Sequence, residues 1–276
     1  MKPKICAGIV TYNPDINRLY ENILAISNQV EVIYVYDNGS KNYEEIQKLI
    51  SQIQYNINIY GEKENKGIAC GLNRLVKLAA DEGFEWILTL DQDSVVADRI
   101  IEVYSKYIYL PDVGIICCEL TDRNVSNTRK GGVGNQYEVV RTCITSGALT
   151  NVRKVLEIGG FEERLFIDSV DYDICYSLEE HGYKTIKVNY DGLLHEVGKS
   201  KPVKIFGQTF AVNNHPAWRK YYISRNSVYM IKKHHLNALV EYFYVYRRIF
   251  TVLFFEQNKS EKIKAILRGI HDGRRM

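Results

Sequence analysis

Glu85-Trp86-Ile87-Leu88-Thr89-Leu90 runs without a break into Asp91-Gln92-Asp93-Ser94. The first six residues read as a short buried strand, and two carboxylates flanking one residue follow at its end. Working back toward the N-terminus, the same unit recurs. Gly67–Ala80 is a helical pattern with Ile68, Leu72, Leu75, Val76 and Leu78 inward. Ile57–Tyr60 reads as a strand, Tyr43–Ile53 as a helix and Val30–Tyr36 as a strand that closes on Asp37-Asn38-Gly39-Ser40. Ile16, Leu19, Ile23, Leu24 and Ile26 share one helix face, and Ile5–Val10 is a strand ending in Thr11-Tyr12-Asn13-Pro14. Strands alternating with helices predict a parallel sheet with helices on its faces. In such sheets ligands lie outside the carboxyl ends of the strands, where the clusters at Thr11–Asn13, Asp37–Ser40 and Asp91–Ser94 all fall.

Downstream, the pattern is less regular. Short strands are expected at Val113–Cys118, Tyr137–Arg141 and Ile144–Leu149, with a glycine-rich turn at Gly131-Gly132-Val133-Gly134. A helix from Val170 to His181 is expected to stop at Gly182. From Pro216 the chain is helical and rich in Tyr and Arg. The expected organisation is a catalytic domain over 1–215, with a nucleotide half of about 1–95 and an acceptor half of about 96–215, followed by a helical region over 216–276.

Composition narrows the classes. The 276 residues are 46% hydrophobic and 25% charged, which is ordinary for a globular protein and excludes whole-chain disorder. A net charge of +3 gives no ground for a nucleic-acid partner. The six cysteines (6, 70, 117, 118, 143, 175) form no Cys-x-x-Cys and sit mostly in apolar runs, so free thiols in a reducing cytoplasm are expected. The opening residues lack the basic-then-apolar order of a secretory signal.

Asp91 and Asp93 repel one another unless a cation or hydrogen-bond donors lie between them. A divalent ion with oxygen ligands would resolve the repulsion and could also bind phosphate; an ordinary turn is the alternative. Asn65-Lys66-Gly67 opens a helix, where N–H groups favour an anion and Lys66 adds charge; an N-cap Asn65 beside a surface lysine is the simpler account. Asp37 could accept from a base imide or a ribose hydroxyl, and Tyr12 could stack on a pyrimidine. Arg225 could grip phosphate bidentately, against a plain solvated basic face. Asp168 and Asp171, three apart on one expected helix, would be neighbours.

In order along the chain, Val10-Thr11-Tyr12-Asn13, Asp37-Asn38-Gly39-Ser40, Asn65-Lys66-Gly67 and Asp91-Gln92-Asp93-Ser94 resemble the motifs of the family 2 glycosyltransferases, which have the GT-A fold. Leu165 to Asp171, His195-Glu196-Val197-Gly198, Tyr221 to Asn226 and Gly269-Ile270-His271-Asp272-Gly273 are similar to bacterial rhamnosyltransferases, which use dTDP-rhamnose for cell-surface polysaccharides. The resemblance implies a Rossmann-like, mostly parallel α/β nucleotide-binding sheet with a helical C-terminal appendage. It implies an inverting transfer of L-rhamnose from dTDP-rhamnose to a hydroxyl of a glycan or lipid-linked glycan precursor. Thr11, Tyr12, Asn13 and Asp37 are thereby assigned to the nucleotide, together with Asn65, Lys66, Gly67, Asp91 and Arg225. Asp93, His195 and Asp91 are assigned to Mn²⁺ or Mg²⁺. Ser146, Gly147 and Asp168 would line the acceptor or sugar side. Family members commonly carry a Glu-Asp pair where this chain has Val170-Asp171; Asp171 matches the second acid and is the expected general base.

Other readings remain open at this level. The same fold could use UDP-galactose, UDP-glucose or a furanose donor, and a non-catalytic nucleotide-sugar-binding subunit would account for the missing first acid. A nucleotidyltransferase would want a glycine-rich loop where Tyr12-Asn13-Pro14 stands. In the tail, Tyr242, Tyr244, Tyr246, Arg247, Arg248, Phe250, Phe254 and Phe255 mix aromatics with cations, as do membrane-surface helices. Peripheral attachment to the inner membrane face, and packing on the catalytic domain or on the second copy of a homodimer, are equally compatible with that pattern. Glu241, Arg247 and Arg248 interrupt Leu236–Phe255, which argues against a membrane span.

Overall fold

The structure, a computed structural model, describes residues 3–122, 134–195, 200–205 and 208–276. Residues 131–133 of the expected glycine turn and Glu196-Val197-Gly198 lie outside the described residues. The chain divides into two compact units, Met1–Glu163 with Asp171–Glu196, and Arg164–Val170 with Val197–Met276.

Unit one is built on a single sheet. Its elements are β1 (Ile5–Thr11), α1 (Ile16–Ser27), β2 (Ile33–Asp37), α2 (Tyr43–Gln52), β3 (Ile57–Gly61), α3 (Ile68–Asp81), β4 (Trp86–Asp91), β5 (Val95–Val96), α4 (Ile100–Ser105), β6 (Val113–Asp122), β7 (Tyr137–Val140), β8 (Ala148–Asn151), α5 (Val152–Glu157), α6 (Val170–Glu180, whose first residue belongs to unit two) and β9 (Lys184–His195). The strands run in the order β3-β2-β1-β4-β8-β6-β9-β5, and β7 also pairs with β9. β1, β2, β3 and β4 are mutually parallel, whereas β8 is antiparallel to both β4 and β6. All seven residues of β1 and all five of β2 are buried, as strands covered on both faces must be. α1 covers them with Leu19, Ile23 and Ile26, and Asp15 caps its N-terminus by accepting from the Asn17 and Arg18 amides at 2.9 and 3.1 Å.

The strand expected over Ile144–Leu149 starts only at Ala148. Gly147 adopts φ +75° and donates its N–H to the Thr89 carbonyl at 2.8 Å, so Thr145-Ser146-Gly147 is a turn beside β4 rather than strand. The twelve-residue β9 is not foreshadowed by the sequence reading.

Unit two holds the segment Arg164–Val170, the hairpin β10 (Ser200–Ile205) with β11 (Gln208–Asn213), and the helices α7 (Ala217–Lys233), α8 (Ala238–Phe255) and α9 (Lys259–Gly273). Val228, Val245, Val252, Ile266 and Ile270 form its core. Gly269 and Gly273 explain the closing motif of the chain. A Cβ at either would collide with the backbone carbonyl of Tyr221 or Arg225, so the two glycines let α9 lie directly on α7. Glu256, fully buried, takes the ammonium groups of Lys220 and Lys262 at 2.5 and 2.9 Å. Removing Glu256 would take the carboxylate away from both buried ammonium groups.

Candidate active site

The strand order reverses between β1 and β4, which makes their carboxyl ends the crevice of the sheet. Register places the expected residues there: Thr11 faces Asp37, and Val10 faces Asp91. Asp37 is fully buried. Thr11 Oγ1 donates to its Oδ1 at 2.9 Å, as does Ser40 Oγ, while the Gly39 and Ser40 amides donate to Oδ2 at 3.1 and 2.8 Å. These four donors fill all four acceptor positions of a carboxylate. The expectation that Asp37 meets a base or ribose directly is therefore corrected: it shapes the loop that would.

That loop is tied to its neighbours by side chains the sequence reading did not single out. Asn38 donates Nδ2 to the Asn65 side chain and the Gly67 carbonyl at 3.0 Å each, and accepts from the Lys66 amide at 2.9 Å. Gly67, at φ +91°, is the cap residue of α3 in place of Asn65, and no side-chain hydrogen bond caps the helix, which suits its first turn to an anion. Lys66 is ion-paired with Glu62 at 2.8 Å in an exposed i,i+4 pair, a contact weak enough for a phosphate to displace. Tyr12 is exposed, and its amide is held by Gln92 Oε1 at 2.8 Å, joining the β1 end to the β4 end. Asn13, at φ +47°, is bonded to Ser40 and to the Lys41 amide.

At the β4 end, Asp91 feels the charges of His195, Asp171 and Asp93. Burial, then the neighbouring Asp171 and Asp93 charges, raise the Asp91 carboxyl to about 6, against a lowering by His195. Asp91 still keeps 42% of its side-chain surface open. β5 pairs Val95 with Leu194 of β9, which sets His195 beside Ser94. A continuous chain follows: the Asp91 amide donates to Ser146 Oγ at 3.0 Å, Ser146 Oγ meets Ser94 Oγ at 2.7 Å, and Ser94 Oγ meets His195 Nδ1 at 2.8 Å. With Nδ1 engaged, Nε2 stands 4.0 Å from Asp91 Oδ2. Asp171, in the first turn of α6, accepts at Oδ1 from both the Thr145 amide and the Thr145 hydroxyl, at 3.2 and 2.6 Å.

Asp91 and His195 fit a divalent cation: one imidazole nitrogen is fixed by a hydroxyl, the other faces a carboxylate, and the crowded carboxylates call for positive charge. The expected three-residue set of Asp93, His195 and Asp91 is not closed, because among the described residues no group of three or more His, Cys, Asp or Glu side chains gathers tightly enough to hold a metal ion alone. Ser146 and Gly147, expected on the sugar side, are buried and serve the turn and the chain to His195. Because the Asp91 pKa lies above its ordinary 3.8, the folded chain holds more protons than the unfolded chain between about pH 4 and 6, and stability falls as pH rises through that window. Asp91→Asn should therefore raise the Tm at pH 7.5, without added cation, by roughly 1–3 °C. At pH 4.5 the gain should shrink to about a third of that, as scanning calorimetry at the two pH values would check.

In unit two, the segment before α6 is unusual. Phe166, Asp168 and Ser169 all have φ between +61° and +66°, a conformation that costs each non-glycine residue about 1 kcal/mol or more. Asp168 thus lies outside the helix, and its expected i,i+3 relation to Asp171 does not exist. Its carboxylate is gripped by Arg219, at 3.2 Å from Nε and 3.0 Å from Nη2. Fully buried Asn226 donates Nδ2 to the carbonyls of Leu165, Ile167 and Asp168 at 2.8–2.9 Å. Arg225 donates to the carbonyls of Arg164 and Leu165 and to Asn226 Oδ1, with its guanidinium 4.7 Å from the Tyr222 ring centroid. The Nε and Nη2 donors of Arg225, expected to grip phosphate, hold this strained segment.

The sequence profile of Glycosyl transferase family 2 matches residues 6–158, more than half of the chain. The dTDP-rhamnosyl transferase RfbF of Shigella flexneri is 29% identical over 99% of this chain and 96% of its own length. Among solved structures, S. aureus TarS superposes with a TM-score of 0.60 at 13% identity over 98% of this chain, which spans 49% of TarS. The mannosyltransferase PcManGT from Pyrobaculum calidifontis, solved with GDP-Man and Mn²⁺, superposes with a TM-score of 0.61 at 15% identity, over 99% of this chain and 74% of that one. The architecture is the expected GT-A type: a mostly parallel Rossmann-like sheet with C-terminal helices.

Proposed function

The chain belongs to glycosyltransferase family 2, and on that footing we propose that it is an inverting, metal-assisted rhamnosyltransferase using dTDP-L-rhamnose. The acceptor is a hydroxyl of a cell-surface polysaccharide or of its lipid-linked precursor. The observation that carries the reading is the convergence of Asp91, Asp93, Asp171 and His195 at the switch point of the sheet, with one oxygen of Asp171 fixed by Thr145. The relative named for dTDP-rhamnose, matched end to end, supports the donor.

Each residue then has a task. Tyr12 offers an exposed ring to the base, and the Asp37-organised loop offers Thr11–Asn13 and Asn38 as its walls. Lys66 and the first turn of α3 receive the diphosphate. Asp91 and His195, with Asp93 beside them, would hold Mn²⁺ or Mg²⁺, which neutralises the departing nucleoside diphosphate when bound. Asp171 takes the proton of the acceptor hydroxyl as that oxygen attacks the anomeric carbon from the side opposite the leaving group, inverting the centre. Thr145 keeps the carboxylate of Asp171 pointed for that transfer. The catalytic domain is proposed as residues 1–215, with the helical region 216–276 after it, working in the cytoplasm and with no nucleic-acid partner.

Thermal-shift measurements with dTDP, UDP and GDP, each with Mn²⁺, with Mg²⁺ and with EDTA, test donor and metal together. At ligand near 100 times Kd, stabilisation of about 2.7 kcal/mol, or several degrees, is expected for dTDP with a divalent ion. UDP should do less and EDTA should abolish the shift. Stabilisation by UDP or GDP alone would move the donor assignment, and silence toward all three would sink the transferase reading.

A further inference from the structure

α8 leaves a long apolar face open. Leu239, Phe243, Tyr246, Phe250, Leu253 and Phe254 recur at helical spacing along one side and are 44–84% exposed, while Val245 and Val252 on the opposite side fill the core. The stripe is about 22 Å long at 1.5 Å per residue. Both edges carry a tyrosine with an arginine. On one, Tyr242 stacks on Tyr246, and Arg274 donates to the Tyr242 hydroxyl at 3.1 Å and lies 5.4 Å from its ring centroid. On the other, Arg247 lies 5.3 Å from the Tyr244 ring centroid. The sole acid of α8, Glu241, falls on the far side of the helix at 100° per residue.

An apolar strip bordered by aromatic hydroxyls and guanidinium groups matches the layering of a lipid interface, with acyl chains beneath and phosphates at the rim. We propose that α8 lies in the surface of an anionic phospholipid bilayer, its stripe against the acyl chains and Arg247 and Arg274 against lipid phosphates. A second copy of the chain is a poorer occupant. Self-pairing through this face would bring cationic rims together with no carboxylate on the face to pair them. Crossing the bilayer is a different matter, since no described helix is long and apolar enough to do so. The inference rests on unit two alone and stands or falls separately from the donor assignment.

The full chain, floated with large unilamellar vesicles of phosphatidylcholine or of an equal mixture with phosphatidylglycerol, tests it. Wild type should rise with the anionic vesicles and partition at least about tenfold more weakly to the neutral ones. F243S/F250S should lose at least about tenfold in partition with an unchanged Tm, because both side chains are exposed. R247A/R274A should narrow the preference for anionic lipid about tenfold and spare the Tm. Absence of flotation, indifference to lipid charge, or full binding by F243S/F250S would overturn the proposal. So would light scattering that shows a dimer dissociated by F243S/F250S in a chain that ignores vesicles.

Discussion

Asp171→Asn should lower sugar transfer by about 10³-fold while nucleotide-dependent stabilisation stays within about twofold of wild type. The substitution is close to isosteric. The asparagine carbonyl can still accept from the Thr145 hydroxyl and amide that hold Oδ1 of Asp171, so the first turn of α6 keeps its place. What disappears is the carboxylate that takes the acceptor proton. Removing one of the charges that press on Asp91 should also ease its protonation slightly downward, toward the ordinary carboxylate range. The measurement is transfer to acceptor, and hydrolysis of the donor, beside dTDP thermal shifts on the same preparations. Retained turnover would remove Asp171 from the role of base. Loss of nucleotide binding along with turnover would mean that the side chain is structural.

Asn226→Leu should cost about 3–5 kcal/mol of stability, the largest expected effect of any single substitution outside the sheet. The side chains are similar in size, so no cavity accounts for the loss. Leucine deprives three carbonyls, those of Leu165, Ile167 and Asp168, of a donor in a fully buried setting, and it deprives Arg225 of the Oδ1 it bonds. The same three-carbonyl clasp helps hold Phe166, Asp168 and Ser169 at positive φ, together with Arg225 on the backbone, Arg219 on Asp168 and the Phe166 ring stacked on Tyr222. Urea unfolding followed by circular dichroism, with Asn226→Gln as a donor-bearing control, reads the effect. A midpoint within error of wild type for the leucine variant would show that the segment is held by other means.

Much of the candidate site was legible because strand ends are legible. Apolar runs that stop at Thr11, Asp37 and Asp91 mark the carboxyl edge of a parallel sheet, and the observed register sets those residues side by side. The alternation of periods also made the order of the first three helices plain. β9 does carry a strand signal, because Ile186, Val188 and Tyr190 alternate with Lys187, Asn189 and Asp191. What the sequence does not show is its pairing with β6, which slips at Cys118, Glu119 and Leu120. Missing β9 meant missing the strand pair that carries His195 to Ser94.

Residue types and their spacing along the chain settled the α/β class, the edge at which ligands would gather and the acids that gather there. Tertiary structure alone decided which of those groups are available. Asp37 and Arg225 are the kind of residue that binds a nucleotide, yet Asp37 has its four acceptor positions, and Arg225 its Nε and Nη2 donors, engaged from within the chain. Asp91, with the same carboxylate as Asp37, keeps part of its surface open and faces other negative charges instead. A side chain carries its chemistry in the sequence, but its free valences depend on which partners the fold brings within 3 Å, and those partners come from strands and loops that are distant along the chain.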